Sequence, residues 1–246
     1  MTEIRIDIQD KTFPAIASAN PHQAIAGLKF TLHRNEFVCL VGPSGCGKTT
    51  LLNIIAGLDR DFQGNITLDK QGGKPKIGYV FQNPRLLPWR TVRENITLAL
   101  PEEIPETTID SLLATMNLSA MQHVYPERLS LGMSRRVAII RAFAVDPDIL
   151  LLDEPFVSLD PPTARQVRSL LLQLWQQRPH TILFVSHDLR EAITLADRLI
   201  FLSAPPMHVV SEIPVDIPRA ERHDEAAIES FRQQLIANHP KIKKLL

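Results

Sequence analysis

The stretch GPSGCGKTT, residues 42–50, fits the pattern G-x-x-x-x-G-K-[ST], with Gly42, Gly47, Lys48 and Thr49 at its fixed positions. Glycines at this spacing let consecutive backbone N–H groups turn inward around phosphate oxygens. A helix opening at the same point adds a dipole that favours anions. Pro43, Ser44, Gly45 and Cys46 complete the expected loop, and Thr50 follows it. Lys48 is expected to reach the β- and γ-phosphates of a nucleotide, and Thr49 to place its hydroxyl on Mg²⁺. Downstream, ILLLDEP ends an apolar run with Asp153 and Glu154. Asp153 is positioned to hold Mg²⁺ through water, and Glu154 to orient or deprotonate an attacking water. His187, closing FVSH, can meet a γ-phosphate. Taken singly, the carboxylate pair reads equally as a solvated strand end and His187 as a structural residue; the loop upstream is what gives them chemistry.

These residues need elements to position them. Short apolar runs at 37–42, 77–82, 148–155, 181–187 and 198–203 read as strands buried on both faces of a parallel sheet. Helical patterns lie between several of them: KTTLLNIIAGL, LREAITLADR, and PPTARQVRSLLLQLWQQ with Asp160 as N-cap and Pro161 at the first helical position. That alternation predicts an α/β, doubly wound fold. The interval 84–147 holds no strand-like run; it has helical stretches and prolines at 84, 88, 101, 105 and 126. The chain therefore reads as one domain over 1–246. Residues 1–83 and 148–213 form the α/β core, 84–147 an inserted helical subdomain, and 214–246 a tail with one amphipathic helix.

Composition narrows the partners. Lys+Arg and Asp+Glu both number 27, so the formal charge is zero and gives no electrostatic case for nucleic acid. The two cysteines, Cys39 and Cys46, are too few and too close for a disulfide framework and suit a reducing compartment. The opening MTEIRIDIQDKTF does not read as a secretory signal, and no run approaches the roughly 20 apolar residues of a membrane-spanning helix. A membrane role is expected only through a partner.

Together the motifs resemble the ATP-binding cassette (ABC) transporter ATPases over nearly the whole chain. In order come the phosphate loop at 42–49, Gln82 (the Q-loop), LSLGM at 129–133 (the signature), Asp153-Glu154, SLD at 158–160 (the D-loop) and His187 (the H-loop). The resemblance implies a P-loop NTPase core with an N-terminal antiparallel β portion and an inserted helical subdomain. It implies ATP and Mg²⁺ as cofactors, with Thr49, Gln82 and Asp153 toward the metal and Glu154, His187 and Gln82 toward catalysis. Nucleotide in this family sits between two cassettes arranged head to tail, so Ser130, Gly132 and Asp160 are expected to contribute to a site shared with a second copy. An aromatic residue upstream of the loop stacks on adenine in the family, and Phe13 is the nearest match; the alternative is that Phe13 only caps the β-rich edge.

FQNPRLLPWRTVREN and ADRLIFLSAPP are similar to the importers of nitrate, sulfonates, taurine and related solutes. The family places the segment Asn83–Trp89 against a coupling helix of the membrane subunit, with Leu86, Leu87 and Trp89 as an exposed apolar surface. The alternative is that these side chains pack the lobe onto the core. The implied protein is a peripheral ATPase on the cytoplasmic face of the inner membrane, working with two permease subunits and, indirectly, a solute-binding protein. Two further readings stay open: a low-turnover regulatory cassette, suggested by Leu131 where the family has glycine, and a soluble ABC ATPase outside transport. Leu131 is compatible with a helical backbone, and its side chain is expected to turn toward the lobe.

Overall fold

A computed structural model describes residues 3–15, 20–68, 75–100 and 105–245 of the chain. Pro101 of the helical interval and residues 16–19 of the stretch after Phe13 lie outside the described residues. The chain divides into two compact units, one formed by residues 1–74 with 181–246 and the other by 75–180.

In the first unit, β1 (Glu3–Phe13), β2 (His22–His33) and β4 (Gln63–Leu68) form an antiparallel sheet in the order β2-β1-β4. Ile4, Ile6 and Ile8 alternate inward along β1, the period-2 signature of a strand with one buried face. A second set of strands runs in the order β7-β3-β8-β9, with β3 (Phe37–Val41), β7 (Thr181–Ser186), β8 (Arg198–Leu202) and β9 (Val209–Pro214). Strand β3 lies parallel to both β7 and β8, and all five of its residues are buried, as an uninterrupted apolar run requires. Phe37 and Phe184 meet edge to face at 5.4 Å on these neighbouring strands. Helix α1 (Lys48–Ile55) follows β3, and α6 (Leu189–Leu195) connects β7 to β8.

In the second unit, β5 (Ile77–Val80) and β6 (Ile149–Asp153) are parallel. Between them in sequence come α2 (Val92–Thr97), α3 (Glu106–Thr115) and α4 (Leu131–Ala144), with no strand among the described residues of the interval, as expected. Helix α5 (Pro161–Gln177) follows β6. Asp160 caps it by accepting from the Thr163 amide at 3.1 Å, and Pro161 and Pro162 occupy the first turn.

The tail contains two helices, α7 (Glu225–Asn238) and α8 (Pro240–Lys243), where one was expected. The segment before them is held against α6 by two arginines. Arg219 donates to the Leu195 carbonyl and to Asp197, and buried Arg222 donates to the carbonyls of Ala196, Ile217 and Val215. Leu195 and Ala196 close α6, so these contacts satisfy carbonyls that its last turn leaves without helical partners. Replacing Arg222 strands three acceptors at once. Arg222→Met should therefore destabilise the protein by about 2–4 kcal/mol, measured by urea or thermal unfolding; a midpoint unchanged from the parent would contradict this anchoring role.

Candidate functional site

The phosphate loop leaves the end of β3. Val41 is in register with Ser186, the last residue of β7, so Gly42 and His187 emerge from adjacent parallel strands at the same end. That is the end of an α/β sheet where ligands bind. Gly45 (φ 75°) and Gly47 (φ 107°) adopt backbones that side chains with a Cβ rarely tolerate, and Gly47 is the N-cap of α1. Ser44, Gly45 and Thr49 are exposed, whereas Lys48 is buried and donates to the carbonyls of Gly42 and Pro43, both at 2.8 Å. The loop's cation thus lies within its own concavity. Cys46 is buried, and burial pushes its thiol pKa up; its Sγ lies 3.8 Å from the Lys48 ammonium and 4.0 Å from the Met207 Sδ. Met207 also exchanges backbone hydrogen bonds with Ala24 and Ala26 of β2, tying the antiparallel sheet to the segment under the loop. No local pattern pointed to Met207.

His187 is exposed and lines a groove of about 450 Å³ with Asp188, Leu189, Arg190 and Arg232. Asp188 caps α6 through the amides of Arg190 and Glu191, which fixes the chain direction immediately after His187. Phe13 closes β1 opposite His22; its ring is 37% exposed and takes the Lys11 ammonium at 4.7 Å. Lys11 is itself buried and paired with Asp59 and Asp61.

In the second unit, Val80 is in register with Leu152, so Gln82 and Glu154 leave β5 and β6 at one end. Their side chains meet: Gln82 Nε2 donates to Glu154 Oε2 at 3.4 Å. Asp153 is buried, and Glu154 follows it at φ 45°, a left-handed backbone for a residue with a Cβ. Such strain costs on the order of 1–3 kcal/mol and persists where surrounding packing imposes it. The sequence offered no sign of this conformation.

The segment after Gln82 has no strand or helix of its own, yet several of its carbonyls are paired. Arg141 donates to those of Pro84 and Arg85. Buried Asn95, just past the Thr91–Glu94 capping box, donates to the carbonyls of Leu87, Arg90 and Thr91 and accepts from the Leu87 amide at 2.7 Å. This scaffold leaves Trp89 69% exposed. Leu86 and Leu87, expected to be exposed with it, are half-buried: the turn that Asn95 closes draws them in.

Ser130 is the N-cap of α4; its Oγ accepts from the Met133 amide at 3.2 Å, which leaves its O–H free to donate elsewhere. Leu131 is the first helical residue and 42% exposed, so its side chain is not packed into the lobe as expected. Gly132 is buried, and a Cβ there would stand 2.5 Å from Thr163 Cγ2 of α5. A side chain at 132 would therefore have to displace the Thr163 methyl where α4 meets α5. Asp160, three residues before Thr163, is committed to its cap, and those hydrogen bonds hold its carboxyl below the usual range.

A glycine-built phosphate loop and a histidine at one parallel strand end, with a glutamine–glutamate pair at another, define an α/β nucleotide-hydrolysing class of protein. Residues 25–157 match the family described as ABC transporter, and the chain belongs to that family. It is 43% identical over 218 residues to the aliphatic sulfonates import ATP-binding protein SsuB of Bacillus cereus, an alignment spanning 86% of this chain and 85% of the relative. It is 38% identical over 242 residues to the nitrate import ATP-binding protein NrtD of Synechococcus elongatus, spanning 93% and 86%. Among solved structures it is similar to the dimeric ATP-binding cassette MJ0796 in a post-hydrolysis state bound to ADP and Pi. The TM-score is 0.74 at 29% identity, over 87% of this chain and 100% of that one.

The Gly132–Thr163 contact yields a compensation test. Gly132→Ala should destabilise the chain by about 1–3 kcal/mol through overpacking, and adding Thr163→Ala should recover most of that loss, both read from urea midpoints. A Gly132→Ala loss that Thr163→Ala leaves untouched would count against this packing account.

Proposed function

We propose that this chain is the ATP-hydrolysing subunit of a membrane importer for a small solute of the sulfonate or nitrate class. The observation that carries the hydrolytic reading is the Gln82–Glu154 pair at the end of β6. The import reading is supported by the relatives' names, which are those of import ATP-binding proteins.

The phosphates of ATP suit the loop: amides at the start of α1, glycine backbones at Gly45 and Gly47, and the Lys48 ammonium within the concavity. Lys48 exchanges its two carbonyl partners for β- and γ-phosphate oxygens, a trade that strengthens because the new acceptors are charged. Adenine stacks on Phe13 in this reading. Glu154 accepts a proton from the attacking water, while Gln82, in contact with the same carboxylate, orients it. His187 donates toward the γ-phosphate from the strand end beside the loop. Mg²⁺ fits the donor chemistry of Thr49 hydroxyl, Gln82 amide oxygen and, through water, Asp153 carboxylate, all hard oxygens. It would neutralise charge on the β- and γ-phosphates.

The dimeric cassette with ADP and Pi supports a pair of copies; in the head-to-tail arrangement that the family resemblance implies, Ser130 and Gly132 of one copy face the nucleotide of the other. The free Ser130 O–H and the amides opening α4 are the groups that suit this role. Among the described residues no helix is long and apolar enough to cross a membrane. Membrane association, placed at the cytoplasmic face of the inner membrane, then runs through two permease subunits that dock on the segment around Trp89, with a solute-binding protein acting through them. An aromatic ring this exposed, on a loop this firmly held, is suited to insertion in a partner's pocket.

Glu154→Gln tests the hydrolytic reading. It preserves shape and removes the base, so ATP affinity should hold within about twofold while turnover falls by about a hundredfold or more. Size-exclusion chromatography with Mg-ATP should then show a dimer. A variant that binds ATP, stays monomeric and still turns over would sink the assignment.

Trp89→Ala tests the docking. Loss of the ring should weaken permease association by about 2 kcal/mol or more and depress solute uptake in reconstituted vesicles. ATP hydrolysis by the isolated subunit should be unchanged, and undiminished uptake would refute the docking role.

A further inference from the structure

Arg135 lies inside helix α4, only 3% exposed, in the second turn after the Ser130 cap. Its Nη1 donates to the Phe81 carbonyl at 3.2 Å and its Nη2 to the Val157 carbonyl at 3.5 Å. Phe81 is the residue before Gln82. Val157 belongs to the turn after Glu154, its own amide donating to the Glu154 carbonyl at 3.2 Å. One planar guanidinium therefore grips the backbone on both sides of the Gln82–Glu154 contact, and it does so from the helix that Ser130 and Gly132 open.

Packing alone does not explain an arginine here. Its Nε is buried with no hydrogen-bond partner among the described residues, a cost that an aliphatic side chain of similar length would avoid. What an aliphatic residue lacks is a rigid fork able to reach two carbonyls from one position. Burial pushes the guanidinium's pKa down, and the carboxylates of Asp153 and Glu154 oppose that shift, so the charge also sits in the field of the acidic pair. Held at φ 45°, Glu154 has a backbone that needs outside support, and the turn ending at Val157 is where that support attaches.

We infer that Arg135 is a positioning residue for hydrolysis, fixing Gln82 and Glu154 relative to each other from within the signature helix. This rests on the ATPase reading above. Arg135 donates to carbonyls of its own unit, Phe81 and Val157, whereas Lys48 of the phosphate loop donates to Gly42 and Pro43. Removal of Arg135 should accordingly act on the rate of the bound complex and leave nucleotide binding alone.

The test is steady-state ATPase kinetics on the full chain with Mg-ATP, alongside thermal melts. Arg135→Met should lower kcat by about tenfold or more while KM stays within about twofold. Arg135→Lys, with one amine for two carbonyls, should fall between. In a Gln82→Ala background, Arg135→Met should cost less than about twofold further, because the two residues act as a unit. A Met variant with kcat within about twofold of the parent, or the same fractional loss with and without Gln82, would overturn the inference. Should Arg135→Met fail to fold, Arg135→Lys decides. A loss of about threefold or more in kcat at unchanged KM and Tm supports positioning, and parental kcat overturns it. A parent chain without turnover would overturn the ATPase reading and this inference with it. Parental turnover with unaffected variants would overturn this inference alone.

Discussion

In a parallel ladder the hydrogen bonds fix which residues stand level, and therefore which residues leave the strands together. Val41 stands level with Ser186, and Val80 with Leu152. The first pairing delivers the phosphate loop and His187 from neighbouring strand ends; the second delivers Gln82 and Glu154. Polar or loop-forming residues follow within two positions of each last rung: Gly42, Gln82, Asp153 and His187. A slip of one residue in either ladder would turn every side chain to the opposite face and bury a chemical group in place of an aliphatic one. The fully buried β3 and β7 make that slip expensive, so the precision of the candidate site comes from the hydrophobic interior beneath it.

Loops beyond those rungs cannot rely on the ladder, and here side chains from helices take over. In the second unit α4 supplies Arg135 and Arg141, and α2 supplies Asn95; between them they satisfy carbonyls from Phe81 to Thr91. In the first unit Asp188 caps the helix after His187, and Arg219 and Arg222 of the tail hold its other end. The tail thereby contributes to the stability of the element that aims His187. Carbonyls paired to charged donors are held more firmly than by neutral ones, and Arg135 and Arg141 supply such donors to Phe81, Pro84 and Arg85.

The five apolar runs read from the sequence match β3, β5, β6, β7 and β8 to within two residues, because strands buried on both faces leave no polar residue to blur their limits. Strand β9 escaped notice for the converse reason: VVSEIP is an antiparallel edge, half exposed, with neither an apolar run nor a clean alternation. Helix α2 is six residues long, too short for periodicity, although its Thr91–Glu94 capping box was there to be read. The motif residues were legible because each carries chemistry at a fixed local spacing. Their supports were not. Arg135, Arg136 and Arg141 carry no local motif that marks them as supports. In the structure they reach the carbonyls of Phe81, Met116, Pro84 and Arg85, 20 to 57 residues away, far outside any local window.

Gly132 shows how a correct motif can carry an incomplete reason. The sequence pattern assigns it to close approach of a phosphate, and nothing in its packing conflicts with that. Yet the space where its Cβ would lie is already taken by Thr163 at 2.5 Å, on a helix whose cap is the Asp160 of the D-loop. A side chain at 132 would thus be crowded from within the same unit, whatever a second copy brings to the other side. Leu131, one residue earlier, is 42% exposed. The tolerance of leucine at 131 beside the crowding at 132 follows from helix geometry: successive side chains point about 100° apart, so only one of the two can face α5. A departure from the family pattern at the outward position changes the surface offered to a partner, whereas a side chain at the inward position would press on the Thr163 methyl of α5.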